Sequence, residues 1–410
     1  MKHTLDSAMK HRVLIFSLAY YPHVGGAEVA LKEITDRLPD IEFHMLTLNF
    51  GGEASEEKIG NIFVHRIGNG DSYFSKILFV PRAARAARVL HQALHFDAFW
   101  AMMSYMLFPI VLLHSLGIRV PYLLSLQEGD PFGHMFNRFR ILPFRPLLAA
   151  GFRQATAVQT ISTFLARWAK QIGFPGTPEV IGNGVSFAQF SRTLPQEELK
   201  IIRKKIGKKG GDTWLIHTGR LVRKNALDTV IRALPLLPGH IHFFMIGDGP
   251  DATTLRELAQ EVGVSTRVHM HPYVPNEDLP NYLKSCDIFI RPSRSEGMGN
   301  SFIEAMATGL PVIGTQEGGI TDFLFDAKRN PDKETTGWAV DVDSPEQIAE
   351  AVKDILAHPE HVARVKTNAK KLVAEKYDWT LIAAQMKAIF NRVHSTPVGE
   401  SADSSTTKVA

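Results

Sequence analysis

The run Arg291-Pro-Ser-Arg-Ser-Glu296-Gly297-Met298-Gly299-Asn300-Ser-Phe-Ile-Glu304-Ala-Met-Ala-Thr-Gly309-Leu-Pro311-Val312 passes from strand to loop to helix and back to strand. The apolar segment Ile288–Arg291 reads as a buried strand, a glycine-rich loop follows, and a helix opens near Asn300. Amides of such a loop, together with the positive end of the helix, can hold phosphate or sugar oxygens. Two carboxylates frame the loop, Glu296 before the helix and Glu304 within it. A carboxylate accepts hydrogen bonds from paired hydroxyls, which suits a sugar ring or a ribose. Taken alone, the two glutamates read as an ordinary helix entry with an exposed Glu304.

The same alternation extends outward from this run in both directions. Strands are expected at Val13–Ser17, His44–Leu48, Ile62–His65, Ala98–Met102, Tyr122–Leu126 and Ala157–Gln159, then at Trp214–Thr218, His242–Ile246, Val268–His271, Ile288–Arg291 and Val312–Gly314. Helices are expected at Ala27–Leu38, Arg82–His95, Leu107–Leu116, Ser162–Gln171, Ala226–Leu236, Asp251–Val262, Leu279–Ser285 and Ser301–Thr308. Short apolar strands between amphipathic helices point to parallel sheets covered on both faces. The polar stretch Ser191–Asp212 separates two such halves, which places a boundary near Pro195. Two doubly wound domains facing each other would hold ligands beyond the carboxyl ends of their strands, in the cleft between them.

Composition agrees and excludes other classes. The chain has 410 residues, 45% of them hydrophobic, and a formal charge of +4. At about 150 residues per domain this length implies two or three domains. The charge is too mild to imply nucleic acid by itself. The single cysteine, Cys286, excludes an intramolecular disulfide and a Cys-rich metal site and points to a reducing compartment. It reads as a small core hydrophobe. The stretch Phe99–Ile118 lacks Asp, Glu, Lys and Arg, but Ser104, Pro109, His114 and Ser115 interrupt it, so it reads as strand plus helix and not as a membrane span. The apolar run Val13–Tyr21 leads into Pro22 without a small-residue cleavage site and reads as a first strand, not a leader peptide.

Six landmarks occur in a characteristic order. They are Gly25-Gly26-Ala27-Glu28, Val180-Ile181-Gly182-Asn183-Gly184-Val185, Gly219-Arg220-Leu221-Val222, the strand end Gly247-Asp248-Gly249-Pro250, Tyr273-Val274-Pro275 and Tyr377-Asp378-Trp379, and the Glu296–Val312 run stands beside them. Together they resemble glycosyltransferase family 4, the retaining enzymes of GT-B fold. The resemblance implies two Rossmann-like doubly wound domains facing across a cleft. Residues 1–195 would form an acceptor-binding domain that regains a crossover helix at 378–394. Residues 196–377 would bind a nucleotide-sugar donor, and 395–410 would be a disordered tail.

Roles follow residue by residue from the resemblance. Glu296 would contact hydroxyls of the transferred sugar, and Glu304 the ribose. Arg220 would bind the diphosphate, where a guanidinium can bond two oxygens at once. Gly297, Met298, Gly299 and Asn300 would approach the donor, as Gly25 and Gly26 would from the first domain. The loop of Tyr273 and Val274 would hold the nucleobase. Cations and dipoles at the departing diphosphate are the stabilisation that breaking the C1–O bond most needs.

Two departures stand out. The family pattern Arg-Leu-Val-x-x-Lys-Gly is replaced by Arg220-Leu-Val-Arg223-Lys224-Asn225-Ala226, with the lysine one residue early and Asn225 in its usual place. Lys224 is assigned to the diphosphate, since a cation there is hard to replace. Where many members carry a histidine after the Tyr122–Leu126 strand, this chain has Gln127-Glu128-Gly129-Asp130. Acceptor activation therefore falls to Glu128, Asp130 or His134, or to the leaving phosphate oxygen. Asp130-Pro131 reads equally as a turn.

The Asp341-Val342-Asp343 triplet spells a metal-binding pattern of other glycosyltransferases, but Asp343 or Ser344 there reads as a helix cap. No metal or cofactor is expected. Lys76, Arg82, Arg85 and Arg88, and Arg138, Arg140, Arg145 and Arg153 interleaved with Phe136, Phe139, Phe144 and Phe152, suit either a solvated face or contact with an anionic membrane. The expected activity is transfer of a hexose from a UDP- or GDP-sugar to a glycan or lipid-linked acceptor, in the cytoplasm or at the inner face of the plasma membrane. A sugar-nucleotide epimerase or hydrolase of the same fold and a non-catalytic sugar-nucleotide-binding protein are the competing readings. A dinucleotide dehydrogenase is excluded by the lack of Gly-x-Gly-x-x-Gly after the first strand.

Overall fold

A computed structural model describes residues 10–396. The described chain divides after Asn183 and again after Trp379. The two outer stretches form one compact unit and Gly184–Trp379 forms the other.

In the first unit the strands are β1 (His11–Phe16), β2 (Ile41–Leu48), β3 (Glu56–Ile59), β4 (Ile62–Ile67), β5 (Ala98–Met102), β6 (Tyr122–Leu126), β7 (Ala157–Thr160) and β8 (Glu179–Val180). They lie in the order β3-β4-β2-β1-β5-β6-β7-β8. All pairings are parallel except the β3–β4 hairpin. Val13 sits opposite Phe43 on one side and Ala98 on the other. Val13, Leu14, Ile15 and Phe16 are wholly buried. A parallel sheet covered by helices buries both faces, which is why these strands are apolar runs and not alternating ones.

The second unit holds β9 (Thr213–Thr218), β10 (Ile241–Ile246), β11 (Val268–His271), β12 (Ile288–Arg291), β13 (Val312–Thr315) and β14 (Trp338–Val340), ordered β11-β10-β9-β12-β13-β14 and parallel throughout. On one face the helices Leu227–Ala233, Ala252–Glu261 and Pro345–Ala357 close a core around Leu215, Phe243, Met245 and Ile290.

Three expectations are corrected. The unit boundary falls earlier than Pro195. Residues just beyond Asn183 are bound into the second unit: Val185 N donates to Tyr377 O at 2.8 Å, Phe187 N to Asp378 Oδ2 at 3.2 Å, and Gln189 Nε2 to the carbonyls of Asn276 and Glu277. The helix expected from Arg82 starts at Tyr73 and runs to Leu94, through Pro81. Its true start is Ser72, whose hydroxyl accepts from Ser75 N at 3.0 Å. The strand β3 was not expected, because Glu56-Glu57-Lys58 is the polar sequence of an exposed sheet edge.

The chain returns to the first unit through the helix Trp379–Ser395. Ile382, Met386, Ile389, Phe390 and Val393 form its buried stripe. The Phe390 ring lies 5.0 Å from that of Trp100 and 5.8 Å from that of Phe43. Lys387 pairs with Asp40 at 2.7 Å, and Arg392 with Glu179. At about 1.5–3 kcal/mol per fully buried large side chain, this stripe is what holds the helix. Of the tail expected to be disordered, Ser395 ends this helix, and residues 397–410 lie outside those described. The Phe99–Ile118 stretch is β5, a short 3-10 turn and the helix Leu107–Ser115. Among the described residues no helix is long and apolar enough to cross a membrane.

Candidate active site

The strand β12 enters the centre of the second sheet with Ile288, Phe289 and Ile290 buried, and ends at Arg291. The loop beyond it folds back on that arginine. Glu296 is 8% exposed, and its Oε2 accepts from Arg291 Nη2 at 2.5 Å while Oε1 accepts from Gly297 N at 3.0 Å. The Glu296 carbonyl accepts from Gly319 N at 3.1 Å. Gly318 (φ +61°) approaches so closely that a Cβ there would stand 1.9 Å from that carbonyl oxygen. Gly299, at φ +95°, opens the helix Asn300–Thr308 and packs on the Phe302 ring. Gly297 and Met298 are buried, and Asn300 is half-buried.

Arg291 is the hub of the site and was not singled out from the sequence, where it read only as a strand end. Besides Glu296 it donates from Nη1 to Ser301 Oγ at 2.9 Å and from Nη2 to Asn225 Oδ1 at 2.8 Å. Asn225 is 1% exposed, and its Nδ2 donates to the Arg220 carbonyl at 2.6 Å. The carboxamide thus ties the turn after β9 to the end of β12. The turn itself is a 3-10 turn, Arg223–Asn225, closed by Ala226 in the left-handed region. Where the family pattern has lysine, this chain therefore directs a neutral side chain inward to Arg291. The signal that could have exposed Arg291 was its place at the last position of a central strand, next to the glycine loop.

The remaining expected donor residues lie at the carboxyl ends of the same sheet. Arg220 follows β9 and is exposed, and Lys224 is half-buried, with its carbonyl accepting from Arg294 N at 2.7 Å. Tyr273, after β11, is 67% exposed and its neighbour Val274 is buried. Glu304 is partly enclosed on the helix Asn300–Thr308, and burial pushes its carboxyl up to about 7 against the pull of Arg291. His217 in β9 is fully buried. Burial, reinforced by the charge of Arg291, holds its imidazole well below the usual range, so it is neutral.

A second arginine that was not anticipated stabilises the loop. Arg294 donates to Asp343 Oδ1 at 2.7 Å, to Asp228 Oδ2 at 2.7 Å and to the Arg223 carbonyl at 2.6 Å. Asp343, part of the metal-like triplet, is thereby engaged by Arg294, and Asp341 bonds to Gln347 and Arg329. Ser344 is the helix cap, accepting from Gln347 N. Among the described residues no three or more His, Cys, Asp or Glu side chains are grouped to hold a metal ion. Cys286 is buried, as expected.

In the first unit the expected residues also follow strand ends, after β1 and β6. Gly25 N donates to Glu28 Oε2 at 2.7 Å, so the start of the helix Gly26–Asp36 is capped by its own glutamate, and Gly25 and Gly26 are both exposed. Glu128 does not face solvent. It is 3% exposed and accepts from Ser104 N at 2.7 Å and Gln127 N at 2.9 Å, which pins two loops together. As an acceptor-side base it is the weakest of the three named, because both oxygens already serve backbone amides. Asp130 is half-buried and His134 is exposed on the short helix Phe132–Phe136.

Comparison with known proteins agrees with this architecture. Residues 24–189 match the model described as Glycosyltransferase Family 4, and residues 199–372 match that of Glycosyl transferases group 1. A GDP-mannose-dependent alpha-(1-6)-phosphatidylinositol monomannoside mannosyltransferase of Mycolicibacterium smegmatis is 27% identical over 237 residues, which is 55% of this chain and 59% of that protein. The chain spans 55–59% of the length of the first curated relatives it matches. Sucrose-phosphate synthase from Thermosynechococcus elongatus superposes with a TM-score of 0.80 at 18% identity, over 93% of this chain and 99% of the other. HepE of Anabaena, solved with UDP and glucose, gives 0.75 at 19% identity, again over 93% and 99%. The two parallel α/β sheets accord with these matches: the chain belongs to glycosyltransferase family 4, within the GT-B fold class.

Proposed function

We propose that the protein is a retaining hexosyltransferase that uses a nucleoside-diphosphate sugar and a glycan or lipid-linked acceptor, without a metal ion. The observation that carries this reading is the Arg220–Asn225–Arg291–Glu296 chain of contacts at the carboxyl ends of β9 and β12. It sets a cation-bearing turn beside a glycine loop at a helix start, an arrangement suited to diphosphate and sugar together. The mannosyltransferase relative is named for GDP-mannose and the Anabaena structure holds UDP and glucose, so both candidate bases have a precedent.

In this reading Arg220 and Lys224 neutralise the diphosphate as the C1–O bond breaks. The amides of Gly297, Met298 and Gly299 bind the donor, Glu296 orients sugar hydroxyls, and Glu304 accepts from the ribose. The acceptor hydroxyl forms the new C1–O bond on the same face, and its proton passes to the leaving phosphate oxygen. Losing one such electrostatic contact costs roughly 3–4 kcal/mol of barrier.

The first unit supports an acceptor at a membrane. Tyr73, Phe74 and Ile77 are 58%, 65% and 50% exposed, and Phe139 is 81% exposed. The guanidinium of Arg140 lies 5.4 Å from the centre of the Tyr73 ring, which joins the two segments. Of the aromatics interleaved with arginines, Phe136 and Phe152 are core, while Phe139 and Phe144 face outward. Exposed aromatics among arginines suit peripheral contact with anionic lipid at a cytoplasmic face.

The test is a thermal-shift panel of UDP, GDP, ADP and their sugar conjugates on wild type and Glu304→Ala, followed by nucleotide release with and without acceptor lipid extract. A shift with one base, weakened in the variant, with acceptor-dependent release, is the expected result. Conversion of the sugar nucleotide without acceptor, to free sugar or to its epimer, would instead identify a hydrolase or an epimerase. Binding without turnover would identify a binding protein, and no shift at all would remove the donor site.

A further inference from the structure

A cavity of about 420 Å³ lies at the other end of the helix Asn300–Thr308. Its walls carry Lys284 from the helix Leu279–Ser285, Lys366 and Lys370 from the helix Pro359–Lys376, and Arg192. The volume is within the range of small-molecule sites. The helix between this cavity and the Gly299 loop is nine residues long, which at 1.5 Å per residue separates its ends by about 13 Å.

Four cations converge here without matching carboxylates. Lys366 and Lys370 are one turn apart and share a helix face. A methyl group on Gly309 would stand 3.5 Å from Lys370 Cδ and 3.9 Å from Lys366 Cε. Lys284 Nζ donates to the Thr308 carbonyl at 3.3 Å, and Arg192 donates to the neutral Asn281 at 3.0 Å. Among the described residues none of the three lysines forms an ion pair. The one carboxylate on the wall, Asp287, is held by Lys208 at 2.5 Å.

One cation is enough to complement a helix C-terminus, and Lys284 fills that role. The others are surplus to it: Lys366 and Lys370 repel one another in half-buried surroundings, and Arg192 is exposed. Burial, with Lys370 and Arg192 adding to it, holds the Lys284 ammonium down to about 8, and burial with Lys370 lowers that of Lys366. A bound anion relieves this repulsion, and lysines with an arginine fork are the side chains that bind phosphate oxygens.

We infer that this cavity is a binding site for a phosphate-bearing anion, separate from the glycine-loop site and independent of what that site binds. The probes are tripolyphosphate and glycerol 3-phosphate at matched ionic strength, read by thermal shift on wild type, Lys366→Gln/Lys370→Gln and Arg220→Ala. The wild type should gain about 4 °C or more at 100-fold above Kd. The lysine double variant should lose the response and, without anion, melt at or above the wild-type temperature. Arg220→Ala should keep the response. Should the double variant fold poorly, Lys370→Ala alone should bind the probe at least about threefold more weakly. A preference for tripolyphosphate would identify a free oligophosphate, and a preference for glycerol 3-phosphate a phosphomonoester or lipid headgroup. Both support the site. No response in wild type, or a response lost in Arg220→Ala and kept in the lysine variants, would overturn it.

Discussion

Asn225 and Arg291 are joined by a 2.8 Å hydrogen bond from the guanidinium to the carboxamide oxygen, while the amide of the same side chain holds the Arg220 carbonyl. This one buried residue therefore couples the turn after β9 to the loop after β12. The lysine usual at this position would place a second cation against Arg291. Asn225→Lys should lower unfolding free energy by about 2–4 kcal/mol. Asn225→Asp, which keeps an acceptor for Arg291, should cost less. Denaturant titration of both variants checks the order, and a lysine variant as stable as wild type would refute the inward role of Asn225.

The loop around Glu296 depends on Gly318. A side chain there would meet the Glu296 carbonyl at 1.9 Å, and φ is +61°. Gly318→Ala should cost more than about 2 kcal/mol. It should also weaken nucleotide-sugar binding, because Glu296 must shift. An unchanged melting temperature would count against this packing.

Glu304 makes stability depend on pH in a stated direction. Its carboxyl is raised from an ordinary 4.5 to about 7. Below 4.5 both folded and unfolded forms are protonated. Between 4.5 and 7 the unfolded chain ionises first, so stability declines as pH rises, and above 7 the loss is complete. Glu304→Gln should melt higher than wild type at pH 8 and alike at pH 4.5. Melting curves across this range provide the check.

Histidines on neighbouring strands act in the opposite sense. His44 on β2 meets His65 on β4 at 3.0 Å, and His242 on β10 meets His269 on β11 at 2.9 Å. Burial lowers His44, His242 and His269 from 6.5; Glu42 and Asp212 oppose this, and Arg12, Arg267 and the partner histidines add to it. A depressed base contributes stability above 6.5 that is lost as pH falls through its folded value. Melting temperature should thus drop between pH 7 and 5, and more steeply in Glu304→Gln, where the opposing gain is gone. A flat profile in that variant would contradict the assignment.

Much of the architecture was legible in the chain because parallel strands buried on both faces must be apolar and their helices amphipathic. The stretch from Arg291 to Val312 could be read as strand, glycine loop and helix from its residue types alone, and the ordered landmarks carried the family. What escaped were features whose cause lies far along the sequence. Polar β3 is a strand only because β4 offers it an edge, and the helix across Pro81 starts from a serine cap nine residues earlier. Glu128 read as a candidate base and proved to be a clamp on Ser104 and Gln127, since burial and two backbone amides decide its role. The sequence by itself determined which elements form and which loop carries the glycines. Tertiary structure alone decided that Arg291 is the hub, that Asn225 turns inward to it and that Asp343 belongs to Arg294. Hydrogen-bond partners distant in sequence are chosen by how strand ends meet in space, and no local pattern encodes that choice.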